Sequence, residues 1–137
     1  MKTLRLCIVA FALLLVGCAC AQAQSEAEMN ELGSALTKVS SAVESTVYYQ
    51  KLGTSLKDDA LLALATRKDS SLLAPFQGYM LRAQQGAGHA SVLVCTQDGR
   101  FALLEDASCT AKMEKHLWRT QPPLPCAFTL NLDEVCP

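Results

Sequence analysis

What this chain lacks narrows its function before any motif is sought. Its 12 Lys+Arg stand against 13 Asp+Glu, a formal net charge of −1, so no basic surplus exists to neutralise a run of phosphates, and nucleic acid is excluded as a partner. Only two histidines are present, His89 and His116, which limits acid–base chemistry to these and the carboxylates. Beyond residue 23 there is no Cys-x-x-Cys or His-x-x-x-His pair, the tight spacing from which zinc sites and thiol oxidoreductases are usually built, so no metal and no cofactor are expected. Gly86 and Gly88 are not followed by Gly-Lys-Ser/Thr, which removes a phosphate loop. His89-Ala90-Ser91 lacks the glycine elbow of an esterase. No internal repeat and no low-complexity tract is visible.

The longest apolar run, Leu6 to Val16, is also too short to span a bilayer, which takes about 20 residues. Lys2 and Arg5 precede it and small residues follow, the layout of an export signal. Two processing sites compete. Leu15-Val16-Gly17-Cys18 resembles the lipobox of bacterial lipoproteins, and that resemblance implies a fatty-acylated (palmitate-type) Cys18, a signal over residues 1–17 and a membrane contact through the lipid. Ala19 in the next position implies sorting to the outer membrane, facing the periplasm. Ala21-Gln22-Ala23 fits an ordinary signal peptidase instead, giving a signal over 1–23 and a soluble periplasmic or secreted chain. Residues 24–137 are read as one small domain of α+β class.

Ser25-Glu26-Ala27-Glu28 has the Ser-x-x-Glu spacing of a capping box. Met29, Leu32, Leu36, Val39, Val43 and Val47 then recur at helical steps, predicting a long helix with a narrow apolar stripe, ended by Gly53. The stripe suits packing within the domain or, alternatively, a coiled-coil seam in an oligomeric structural lipoprotein. A second, buried helix is expected after Asp58-Asp59. A third is expected after Asp69-Ser70-Ser71, with Leu72, Leu73, Phe76, Tyr79, Met80 and Ala83 turned inward and Pro75 in its first turn. Residues 91–96 and 100–105 are β-type runs joined by Gln97-Asp98-Gly99, the strongest short hairpin signal. In the register this turn sets, Cys95 faces Ala102, Val94 faces Leu103 and Leu93 faces Leu104. Both faces of the hairpin are then apolar and need cover, from helices on one side and the C-terminal tail or a partner on the other. A short helix from Thr110 to Trp118, a crossing through Gln121-Pro122-Pro123-Leu124-Pro125, and a third strand over 127–132 complete the reading.

Cys95, Cys109, Cys126 and Cys136 are an even set in an exported chain and predict two disulfides. The hairpin register puts Cys109 far from Cys95 along the ladder, so each tail cysteine is expected to bond one upstream partner. His89 and His116 are expected on the surface, Asp58-Asp59 as helix-cap charge and Glu105-Asp106 as strand-end turn residues. Phe101, His116 and Trp118, around the hairpin and the proline crossing, are the candidate binding residues. The expected function is a non-catalytic binding module of the cell envelope, with a protein partner: an assembly factor, an inhibitor or an immunity-type protein. The alternative is a small secreted enzyme using His89 or His116 with a carboxylate.

Overall fold

The computed structural model describes residues 24–52 and 55–137; the signal region with Cys18, and Gly53, lie outside them. Helix α1 spans Glu26–Gln50, capped by the Ser25 side chain, whose hydroxyl accepts the Glu28 N–H at 3.1 Å, with Glu26 and Glu28 at the positive end of the helix dipole. The Glu28 carboxylate accepts the Tyr79 hydroxyl at 2.5 Å, which ties the start of the helix to the sheet. All six stripe residues, Met29 through Val47, are buried. They pack into the chain's own core rather than standing free as a coiled-coil seam. Lys51, in the left-handed conformation at φ 47°, caps the helix.

Helix α2 spans Asp58–Ala65 and buries only Leu61 and Leu62 of its apolar set, because two turns present a single face to the sheet. The predicted third helix is shorter than expected and of another type. A 3-10 helix runs over Ser70–Phe76 with Asp69 as its cap, and Tyr79, Met80 and Ala83 belong to a strand. Pro75 removes a backbone donor, and Gly78 at φ 90° turns the chain out of helical conformation.

The sheet is an antiparallel meander of β1 (Tyr79–Gly86), β2 (His89–Thr96), β3 (Ala102–Ala107) and β4 (Met113–Glu114) in that order. Gly86 pairs with His89, leaving Ala87 and Gly88 as a two-residue loop at φ 54° and 84°. Positive φ at both loop positions matches the twist of a tight hairpin. In the next hairpin the predicted pair Cys95–Ala102 is present, but a bulge between Val94 and Cys95 shifts the rest, so Val94 faces Leu104 and Leu93 faces Glu105. One extra residue on β3 accounts for the slip. After β3, the predicted Thr110–Trp118 helix is replaced by β4 and a 3-10 turn, Leu117–Arg119. No strand forms over 127–132; the tail runs irregularly into helix α3, Leu132–Val135, capped by Asn131.

Both sheet faces are covered within the chain, as the apolar hairpin requires. Val92, Val94 and Leu104 meet Leu36, Val39 and Val43 of α1 and Leu61 of α2 in the main core. On the opposite face Leu93, Cys95 and Ala102 pack with Leu117, Leu124, Cys126 and Phe128. A third cluster joins Ala107 to Leu130 and Leu132, with Cys109, Val135 and Cys136 at its edge. Each tail cysteine bonds an upstream partner as expected: Cys95–Cys126 with Cα atoms 5.7 Å apart and Cys109–Cys136 with Cα atoms 5.5 Å apart. The fold is thus α+β, helices first, then an antiparallel sheet stapled by two disulfides and closed by a short helix. No helix among the described residues is long and apolar enough to cross a membrane.

Candidate metal centre

Three residues of α1 reach one end of the sheet. Ser40, Ser41 and Glu44 sit within about one helical turn of each other, so their side chains share a flank of the helix. Ser40 hydrogen-bonds the Asp106 carboxylate, Ser41 meets the Ser108 hydroxyl at 3.1 Å, and Glu44 meets His89. The Glu44 carboxylate binds through both oxygens: Oε1 lies 2.6 Å from His89 Nδ1, and Oε2 accepts the Ala90 N–H at 2.7 Å. His89 opens β2 directly after the tight Ala87-Gly88 loop, so its backbone is set by the hairpin and its ring by the helix. The pair is largely enclosed, with side-chain exposures of 20% for His89 and 15% for Glu44.

Cys109 arrives two residues beyond β3, and Cys136 caps α3. Their sulfurs and a ring nitrogen of His89 all lie within 4.8 Å of one another. This corrects three expectations together. His89 is no solvated surface residue; it belongs to a partly buried cluster. The absence of closely spaced ligands did not exclude a metal, because the ligands come from three separate segments. The expectation of a chain with no catalytic role is likewise overturned by this cluster, since two cysteines and one histidine are the protein ligands of a known type of catalytic zinc site.

Chemistry sets which form can bind. In the structure the two sulfurs are joined and carry no charge; metal ligation needs the thiolates, so the binding form is the reduced one. Glu44 is placed as the outer carboxylate that such sites use to fix the tautomer and orientation of a histidine ligand. With Nδ1 on Glu44, Nε2 is the ring nitrogen left to a ligand.

Asp106 and Glu105 are not turn residues as predicted; both are buried in β3. Burial raises the Asp106 carboxyl above its ordinary value, opposed by the Ser40 hydroxyl and the Lys115 charge. Burial also raises Glu105, opposed by the Thr129 side chain and the Thr129 and Leu130 N–H groups. Asp58, read as cap charge, also accepts from Arg82 Nε at 3.2 Å and from the Ala83 N–H at 3.3 Å.

The other predicted site residues lie elsewhere. Phe101 and Trp118 line one groove of about 540 Å³ with Leu103, Leu117, Arg119 and Pro123. Trp118 packs on the main core, and Arg119 lies 4.7 Å over its ring while pairing with Glu26. His116 is exposed, at the start of the 3-10 turn, and does not line that groove. Glu44 was the residue of the cluster that the sequence reading missed; its only signal was a carboxylate flanking the apolar stripe, one turn from Ser40.

The fold and the cluster define a small α+β domain with a His/Cys/Cys site capable of holding a metal once the Cys109–Cys136 bond is reduced. Comparison with family models, with curated proteins and with solved structures finds no match to this chain.

Proposed function

We propose that this chain is a small exported metal-dependent enzyme whose centre is His89, oriented by Glu44, with Cys109 and Cys136 as thiolate ligands in the reduced state. The observation that carries the reading is the convergence of the His89, Cys109 and Cys136 ligand atoms within 4.8 Å, beside a histidine already held by a carboxylate at 2.6 Å. His89, Cys109 and Cys136 would hold a divalent cation through three protein ligands, a donor set suited to metal-assisted hydrolysis. Bound there, the cation would supply Lewis acidity for hydrolysis. The chain's own contribution is to fix the imidazole through Glu44, to hold the Cys136 sulfur through the packing of α3, and to shield the cluster partly from solvent.

The proposed setting is the cell envelope. The lipobox-like Leu15-Val16-Gly17-Cys18 and the paired cysteines support it, and fatty-acid labelling lost in Cys18→Ser tests the lipid anchor. For the metal reading, the reduced protein is titrated anaerobically with Co²⁺. Uptake of one equivalent with a thiolate-to-cobalt charge-transfer band, abolished in His89→Ala, is the expected result, followed by zinc-dependent turnover of model esters, phosphoesters or peptides. Absence of Co²⁺ uptake by the reduced protein, or uptake indifferent to His89→Ala, overturns it.

A further inference from the structure

The two disulfides occupy different environments, and the difference decides which of them can exchange. Cys95 is wholly buried, surrounded by Leu93, Ala102 and Leu117. Attack on its partner Cys126 expels a Cys95 thiolate into that apolar cluster, where an unpaired charge is strongly disfavoured. Cys109 and Cys136 are both partly exposed, at the edge of the third cluster beside His89, so either sulfur can leave as a thiolate within reach of solvent and of an imidazole.

The consequences of opening also differ. Apart from the Cys95–Cys126 bond, the proline crossing is held by the Ala102 N–H to the Leu124 carbonyl, the Cys126 N–H to the Arg100 carbonyl, Arg82 Nη1 to the Cys126 carbonyl at 3.3 Å and the packing of Leu124, Cys126 and Phe128 on the second cluster. Opening Cys109–Cys136 leaves α3 and its lead-in anchored. Leu130 and Leu132 stay packed on Ala107, and the Glu105 carboxylate still accepts the Thr129 N–H, the Thr129 hydroxyl and the Leu130 N–H at 2.7–3.2 Å. The freed sulfurs therefore stay close together next to His89.

We propose that Cys109–Cys136 is an exchangeable disulfide that accepts two electrons from a dithiol, while Cys95–Cys126 is a permanent staple. One sulfur of the dithiol, as thiolate, attacks a sulfur of the Cys109–Cys136 bond; that bond breaks and the departing sulfur takes up a proton. The second sulfur of the dithiol then displaces the protein from the mixed disulfide. The products are the Cys109 and Cys136 thiols and the reductant's own disulfide; two protons and two electrons have moved. Where the metal reading above holds, on which this last step rests, the same reaction supplies the ligands, and the thiols lose their protons to the solvent on binding the ion. The absence of a Cys-x-x-Cys motif did not exclude such chemistry, because the pair is assembled from the loop after β3 and the C-terminal cap of α3 rather than from one turn.

The test titrates the native protein with limiting dithiothreitol, traps thiols by alkylation and maps them by mass, then measures Zn²⁺ uptake by chelator competition. Exchange predicts labelling of Cys109 and Cys136 at doses that leave Cys95 and Cys126 joined, with Zn²⁺ affinity at least 100-fold higher in that species than in the oxidised protein. A Cys109→Ser/Cys136→Ser variant, which retains the staple, yields no thiols at the same dose. Opening of Cys95–Cys126 first, or of both bonds together, overturns the proposal. Selective opening without zinc uptake upholds the exchange and overturns the metal reading, so the two failures are told apart.

Discussion

Glu105 and Asp106 are neighbours in β3 whose carboxylates are buried against different segments: Glu105 accepts from Thr129 and Leu130 of the tail, and Asp106 from Ser40 of α1. The alternation of a strand turns consecutive side chains to opposite faces, and here it joins the tail and the helix to one strand through two acids. Burial raises both above their ordinary values of 4.5 and 3.8.

The sign of the resulting pH dependence follows. A raised folded-state value means the folded chain holds the proton more tightly than the unfolded one, so the contribution to stability is complete below the ordinary carboxyl range and is lost as pH rises through the raised value. Asp106→Asn removes one such group. The difference in thermal midpoint between the parent and Asp106→Asn is expected to move against the parent from about pH 4 towards pH 7, as read by circular dichroism melts. A difference that moves in the parent's favour with rising pH contradicts the assignment.

Glu44→Gln keeps an oxygen for the Ala90 N–H but removes the carboxylate from His89. Outer carboxylates of this kind are worth about 10- to 100-fold in metal affinity. The reduced Glu44→Gln protein is expected to bind Zn²⁺ more weakly by that factor, measured by chelator competition, with its far-ultraviolet spectrum unchanged. Unaltered affinity removes Glu44 from the site.

Leu36 is wholly buried in the α1 stripe, facing the core that also holds Val92 and Leu104. Leu36→Ala is expected to cost roughly 2–5 kcal/mol, the transfer of the lost methyl groups plus the cavity left behind. Urea denaturation checks it. A cost below about 1 kcal/mol is what an exposed or loosely packed position gives, and shows that the stripe does not carry the fold.

Long-period and turn signals were legible in the sequence, and non-local pairing was not. The α1 stripe, Met29 to Val47, declared itself along most of a 25-residue helix, and Asp98-Gly99 located the second hairpin, because each depends on neighbours close along the chain. Tyr79-Met80-Leu81-Arg82-Ala83 carries apolar residues that fit a helix face or a strand equally; only the pairing with β2 decides, and that pairing depends on the Ala87-Gly88 turn. The slip at Val94 arose from a bulge with no local signature. The cluster escaped for the same reason: Glu44, His89, Cys109 and Cys136 lie on α1, β2, the loop after β3 and the end of α3, so no spacing along the chain announces them. The disulfide pairing was narrowed because a ladder distance excluded Cys95 with Cys109, a geometric argument that needed the hairpin alone.

The tail's hold on Glu105 bears on the redox pair. With the Cys109–Cys136 bond open, the nearness of the two sulfurs depends on the anchoring of residues 129–132, and the Glu105 carboxylate supplies three hydrogen bonds to that segment. Glu105→Ala leaves two backbone N–H groups without their acceptor and frees the approach to α3, lowering the effective concentration of one sulfur at the other. After reduction and removal of the reductant, Glu105→Ala is expected to re-form Cys109–Cys136 roughly three- to tenfold more slowly than the parent, by quenched alkylation and mass mapping. Its Thr129 and Leu130 amides are expected to exchange hydrogen faster in the same state. Equal re-oxidation rates place the anchoring in Leu130 and Leu132 alone and remove Glu105 from the device.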